Sequence, residues 1–227
     1  MAGAWLVGSG ALGDFDPLRS DVDVQAVCTA RLQRPELEQL AAALSHPALA
    51  CPARGLEFVL YSHEDLADPR GPAFALNLNT GPRMDHHAGY DPELEPRFWF
   101  VLDVAIAREL ARPLVGRPPR ELLPALPRAL VLAALRDALA WWREHDSAEA
   151  ILAACRAWAW ATQGRWLSKT DAAAWAASQL ADAAPIAKAL AHRAQATARG
   201  PAASDVAALL GPVELLLVSA GRADRED

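Results

Sequence analysis

Lysine is almost missing from this chain. Lys169 and Lys188 are the only two among 22 basic residues, and arginine takes the other positions in an alanine- and proline-rich background. That bias is expected of a GC-rich bacterial genome and carries no mechanism. Cysteine is scarce too. Cys28, Cys51 and Cys155 have neither the spacing of metal ligands nor an evident pairing, which excludes a disulfide scaffold and fits a reducing compartment. Long uncharged apolar runs are lacking, because the alanine-rich stretches are broken by Arg and Trp, so no membrane span is expected. The first residues do not resemble a secretory leader, and a cytoplasmic protein is the expectation. Positive charge is also in deficit. A net charge of -6 argues against a nucleic-acid partner and is compatible with a cationic substrate.

What is present begins with Leu6 to Val27, LVGSGALGDFDPLRSDVDVQAV. An apolar run enters Gly8-Ser9, a Gly/Pro-rich loop follows, and the stretch closes on Asp21-Val22-Asp23-Val24. Successive side chains of a strand point to opposite faces, so Asp21 and Asp23 share one face and Val22 and Val24 bury the other. Two carboxylates so placed suit a hard cation such as Mg²⁺. Gly8 allows a close turn, and the amides of Gly8, Ser9 and Gly10 form a candidate cradle for phosphate oxygens.

Further on, Pro35 opens a helix with an apolar stripe at Leu37, Leu40, Ala41 and Leu44, and His46-Pro47 ends it. Arg54-Gly55 turns into a strand, Leu56 to Ser62, in which Glu57 is the only charge. A carboxylate there is costly unless it is paired or sits on a working face, which makes Glu57 a candidate third acid and general base. A strand is expected over Ala73 to Asn79, a turn over Thr80-Gly81-Pro82, and a solvated loop at Asp85-His86-His87. Asp91-Pro92 is read as the start of a helix reaching Leu110, with Phe98, Leu102 and Ala105 on its core side. The proline-dense stretch from Arg112 to Pro127 divides the chain. The expected domains are 1–112, a linker over 113–127, and 128–227. Only Met1 to Ala4 precede the first expected strand, so either no helix stands ahead of it or the start codon is assigned too late.

The second half reads as a bundle of five helices: Arg128 to His145, Ser147 to Gln163 with Gly164 as its stop, one from Ser168 with a Ser-Lys-Thr-Asp cap, then 184–198 and 205–220. The segment AILAACRAWAWA is apolar nearly all round, yet contains Arg156, whose guanidinium needs an anionic partner: a phosphate or a neighbouring carboxylate. Asp146, Glu149, Ala153 and Arg156 fall along one side of the helix, with Lys169 following from the next. Trp158, Trp160 and Trp175 lie at core spacing, whereas Trp141 or Trp142 is a candidate to stack on a ring.

The Gly-Ser, spacer, Asp-Val-Asp order resembles the signature of polymerase-beta-like nucleotidyltransferases, and Glu57 falls where that superfamily has its third acid. RAWAWATQGRWLSKTDAAAWA, Arg156 to Ala176, with ARGLEFVLYSHEDL around Glu57, resembles the aminoglycoside adenylyltransferases that modify streptomycin and spectinomycin. The resemblance runs from Leu6 to about Ala194 and leaves the last thirty residues unassigned. It implies an α+β chain, with a mixed-sheet nucleotidyltransferase domain and flanking helices followed by a C-terminal helical bundle. It further implies AMP transfer from ATP to a hydroxyl of a small cationic acceptor. One or two Mg²⁺ would be held by Asp21, Asp23 and Glu57, and Glu57 would take the acceptor's proton. Arg156 and Lys169 would hold ATP phosphates across an interdomain cleft, with Gly8, Ser9 and Gly10 gripping them from the first domain, and Asp146 would face the drug's amines. Glu149 on the same helix face and Trp142, placed to stack on a sugar ring or on adenine, are further candidate substrate contacts. The short Trp141 to Asp146 loop and the lack of an aromatic near Asn77 to Gly81 depart from streptomycin-handling members. Two other functions fit the same residues: transfer to a metabolite, a tRNA end or a protein side chain, and non-catalytic nucleotide binding.

Overall fold

In the computed structural model, residues 1–68, 70–195 and 199–223 are described. They fall into two units, Met1–Leu126 and Pro127–Asp227. The first unit is a six-stranded mixed sheet in the order β5-β4-β3-β2-β1-β6, comprising β1 (Gly3–Leu6), β2 (Val22–Cys28), β3 (Leu56–Ser62), β4 (Leu76–Gly81), β5 (Met84–Gly89) and β6 (Arg112–Gly116). Only β2 and β3 pair in parallel, and the crossover between them carries helix α2 (Arg34–Leu44). Parallel neighbours need such a connection, whereas the antiparallel pairs are joined by shorter turns or brought together from a distance.

The alternation along β2 and β3 assigns the two faces. Val24, Ala26, Phe58, Leu60, Leu76 and Leu78 face α2, where Leu37 and Ala41 are buried. Trp5, Val27, Val59 and Tyr61 face Phe100, Val104 and Ala107 of α4 (Arg97–Leu110), numbered after the short helices α1 (Gly8–Leu12) and α3 (His63–Leu66). Expected limits for β3 and the stripe of α2 agree with this arrangement. On α4 the seam differs from the expected one: Phe100, Val101, Leu102, Val104 and Ala107 are buried, while Phe98 and Ala105 are half-buried.

Four sequence readings change. Strand β4 covers Leu76–Gly81 rather than Ala73 to Asn79, so Thr80 and Gly81 belong to the strand and not to the turn. The segment with Asp85-His86-His87 is strand β5 rather than a loop. It is an edge strand whose side chains are mostly exposed, so it has no apolar alternation to announce it. Asp91 caps only a short 3-10 turn, Pro92–Leu94, because Pro96 interrupts the chain before α4 begins. The stretch expected as a linker, 113–127, instead holds β6 and α5 (Pro119–Leu122), and the unit boundary lies after Leu126. Proline is tolerated at a sheet edge and in the first turn of a helix, so its density there did not mark a linker. Trp5 Nε1 donates to Arg117 O at 2.9 Å, and Leu122 and Leu123 are buried against Trp5 and its neighbours.

The second unit contains α6 (Arg128–His145), α7 (Ser147–Gln163), α8 (Lys169–Ser178), α9 (Ala184–Ala194) and α10 (Ala203–Ala223). α7 touches all four others and buries Ala150, Ile151, Leu152, Ala154, Cys155, Ala157 and Ala159, as its all-round apolarity requires. Its ends follow local chemistry. Asp146 caps the N-terminus and Gly164 closes the C-terminus at φ 67. α9 ends at Ala194, and positions 196–198 of the expected helix lie outside the described residues. α10 is long and apolar enough over Ala203–Arg222 to cross a membrane by length and composition, with mean hydropathy 1.6. It packs on α6, α7 and α9 through Val206, Leu209, Leu210, Val213 and Leu217.

Candidate active site

The end of β1 is tied to β2 by Val7 N–H donating to Asp23 O at 2.9 Å. The chain then turns sharply at Gly8, whose φ is +57, and a methyl group on Gly8 would collide with the Asp23 carboxylate. Glycine is therefore needed here twice, for its backbone conformation and for the room it leaves. Gly8, Ser9 and Gly10 form the first turn of the five-residue α1 rather than an open loop. The first N–H groups of a helix have no intrahelical acceptor, so the amides of this turn remain donors beside Asp23.

Asp23 lies directly opposite Glu57 in the parallel pairing, and the two side chains project from the same face. They share a hydrogen bond. Burial, and after it the charges of Glu57, Asp103 and Asp21, hold the Asp23 carboxyl well above the usual carboxylate range. Asp21 precedes β2 and is gripped by Arg54, with Nε to Oδ1 at 2.9 Å and Nη2 to Oδ2 at 2.6 Å. The sequence pairs Asp23 with Glu57, and Asp21 acts on Asp23 through its charge. It left two participants unnoticed: Arg54, taken for part of a turn, and Asp103 on α4.

Asp103 is three residues after Phe100 and four before Ala107, so the helical period turns it toward the sheet with them. Its charge acts on both Asp23 and Tyr61. The Tyr61 hydroxyl is fully buried and has no hydrogen-bond partner among the described residues. Burial first, then Asp103 and Asp65, push the phenol well above its ordinary value. Tyr61→Phe should therefore leave the thermal unfolding midpoint unchanged or raise it, because losing a made hydrogen bond would cost about 1 kcal/mol and there is none to lose. A clear fall in the midpoint, measured by calorimetry, would mean that the hydroxyl has a partner.

Among the described residues, no three His, Cys, Asp or Glu side chains stand together as a ready-made metal cage. The chemistry of the group nevertheless fits Mg²⁺. Asp23 is surrounded by acids, the nearby Arg54 is engaged with Asp21, and the donors are all hard oxygens. Mg²⁺ keeps several waters and shares itself with substrate phosphates, so one or two carboxylates suffice from the protein.

In the second unit, Asp146 Oδ1 accepts from Ala148 N at 2.9 Å and Glu149 N at 3.0 Å, which commits one oxygen to the cap of α7. Glu149 and Lys169, expected on acceptor and phosphate respectively, form an ion pair at 2.6 Å. Arg156 is half-buried on α7. Trp142 meets Trp141 edge to face at 4.8 Å, and Trp141 stacks on His145 at 3.8 Å. Trp158 with Trp175, and Trp160 with Trp166, pack against each other as core-spaced aromatics do.

The mixed sheet sets the Gly8 turn against Asp23 and places Glu57 opposite it on the neighbouring parallel strand. Residues 121–212 match the family model described as aminoglycoside adenylyltransferase, C-terminal domain. Over 98% of this chain and 91% of the other, the structure is similar to that of spectinomycin adenyltransferase AAD(9) from Enterococcus faecialis, solved with ATP and spectinomycin. The TM-score is 0.60 and the identity 17%. No curated protein matches the chain. In fold, the chain is aminoglycoside adenylyltransferase-like.

Proposed function

We propose that the protein is a bacterial, cytoplasmic nucleotidyltransferase that moves AMP from ATP to a hydroxyl of an aminoglycoside-like acceptor, releasing pyrophosphate and conferring resistance to the drug. The observation that carries this reading is the Asp23–Glu57 pair beside the Gly8 turn. The similarity to an enzyme solved with ATP and spectinomycin supports it.

In the reaction, a bond forms between the acceptor oxygen and the α-phosphorus of ATP, and the bond from that phosphorus to the bridging oxygen of the pyrophosphate breaks. Glu57 takes the acceptor proton. The amides of Gly8, Ser9 and Gly10 donate to phosphate oxygens. Arg54 holds Asp21 in place. Asp21, Asp23 and Glu57 are the residues that would hold Mg²⁺, which when bound offsets the charge developing on the departing pyrophosphate. Arg156 and Lys169 are assigned to the triphosphate and Asp146, Glu149 and Trp142 to the acceptor. For Lys169 and Glu149 this requires their mutual ion pair to be exchanged for ligand contacts. Most of the acceleration comes from positioning and fixed charge.

The test is pyrophosphate release from MgATP with spectinomycin, streptomycin or other aminoglycosides present. Release that depends on one of them is the expected result. MgATP binding with no release on any drug would move the acceptor to another class, and no MgATP binding would overturn the reading.

A further inference from the structure

The polar row that begins at Asp23 does not stop at Glu57. Asn79 on β4 pairs with Glu57, and His87 on β5 pairs with Asn79, so four successive strands present polar side chains on one face. In the next row along the strands, Asn77 lies opposite Gly89. Glu95, in the segment before α4, places its carboxylate over these residues. Asn77 Nδ2 donates to Oε2 at 2.5 Å, and His87 Nε2 lies 3.0 Å from Oε1. Gly89 makes the space, since a methyl group there would run into Oε1 and crowd His87 Nε2.

The result is a carboxylate held in one position. Its side chain is 16% exposed, while His87 beside it is 51% exposed and open to solvent. Asn77 and His87 occupy one site on each oxygen, and an ionised carboxylate offers about four, so acceptor capacity remains. Among the described residues, no Arg or Lys neutralises it. The Gly8 turn lies on the other side of Asp23, toward β1. A nucleotide bound on that side, with the acceptor hydroxyl at Glu57, leaves the rest of the acceptor over Asn79, His87 and Glu95.

We propose that Glu95, held by Asn77 and His87 in the space left by Gly89, binds an ammonium group of the acceptor. Glu57 and His87 are two strands apart, so this point is about 10 Å from the reacting hydroxyl at ordinary strand spacing. A molecule of several rings spans that distance and a single amino sugar does not. The proposal rests on the nucleotidyltransferase reading above and names the acceptor contact within the same site.

Two variants test it from different directions. Glu95→Gln removes the charge and keeps the shape. Gly89→Ala keeps the charge and pushes the carboxylate away, at small structural cost because the atom displaced is the end of a flexible side chain. With spectinomycin or streptomycin as acceptor, each should raise the acceptor KM about tenfold, as removal of a binding contact does. The KM for ATP, calorimetric MgATP affinity and melting temperature should stay close to wild type, which a merely structural role would not produce. An acceptor KM within about twofold of wild type in both variants would overturn the subsite and leave the nucleotidyltransferase reading standing. Binding of MgATP without binding of either drug to the wild type would overturn the ammonium assignment together with the aminoglycoside acceptor, and leave nucleotidyl transfer standing. Failure of the wild type to bind MgATP would overturn the function, and the subsite with it.

Discussion

Asp23→Asn unfolds at a higher temperature than the wild type when no metal is present, and it releases no measurable pyrophosphate from MgATP. Both halves of this expected result follow from one cause. The Asp23 carboxyl is desolvated and faces Glu57, Asp103 and Asp21, so its folded pKa is raised. Above the ordinary carboxylate range the unfolded chain has already lost this proton while the folded chain keeps it. Stability therefore falls as pH rises from the unfolded pKa through the folded one. An amide at this position carries no charge and removes that part of the slope. For a chain of this size the gain should appear as about 2–4 °C in melting temperature for each kcal/mol recovered. The activity loss should be roughly a thousandfold or more, the scale on which fixed electrostatic contributors to a transition state act. Calorimetry from pH 5 to 8, with and without Mg²⁺, checks the first half. In the wild type Mg²⁺ should restore the stability lost at high pH, and in the variant it should do nothing. Equal slopes for the two proteins would show that Asp23 is not the strained acid.

Gly8→Ala should be nearly as damaging to activity, by geometry rather than charge. The added methyl meets the Asp23 carboxylate, and the backbone sits at φ +57, where a side chain is disfavoured. Strain of this kind costs about 1–3 kcal/mol, so the variant should fold but melt several degrees lower. Asp23 must then turn away or the β1–α1 turn must open, and either separates the candidate phosphate donors from the acid. Affinity for MgATP should fall at least tenfold by calorimetry, the equivalent of about 1.4 kcal/mol. Gly13 is the contrasting position, because its φ is +83 but nothing lies within 4 Å of an added methyl. Gly13→Ala therefore carries the backbone penalty without the collision and should keep its nucleotide affinity.

Gly8, Asp21, Asp23 and Glu57 were legible because each breaks a local rule in a recognisable way. The two acids of DVDV and a lone charge in LEFVLYS stand out against the apolar alternation around them, although Asp21 lies just ahead of β2. The expected bounds of the bundle helices α6 and α7 coincide with the observed ones, and Gly164 is the local signal that marks the end of the second. The parts that were not legible depend on tertiary pairing. Asp103 looks like an ordinary polar position on an amphipathic helix until α4 is laid on the sheet, and Arg54 until the β2–β3 register brings it to Asp21. β5 hid because an exposed edge strand needs no apolar pattern, and β6 because its proline reads as a break. Glu95 and His87, 8 residues apart, have no sequence signal at all.

The placement of β6 next to β1 bears on how the chain is made. β1 is made well before its second neighbour, which spans Arg112–Gly116, and before Arg117, the acceptor for Trp5. Until Arg117 has emerged, β1 has one bare edge and an unanchored indole, and the burial offered by Leu122 and Leu123 arrives later still. The N-terminal unit is thus completed only as its own last residues appear. A gene cut at Arg112 would yield a fragment that keeps every candidate catalytic acid but exposes a sticky sheet margin, whereas a cut after Leu126 would keep the sheet closed.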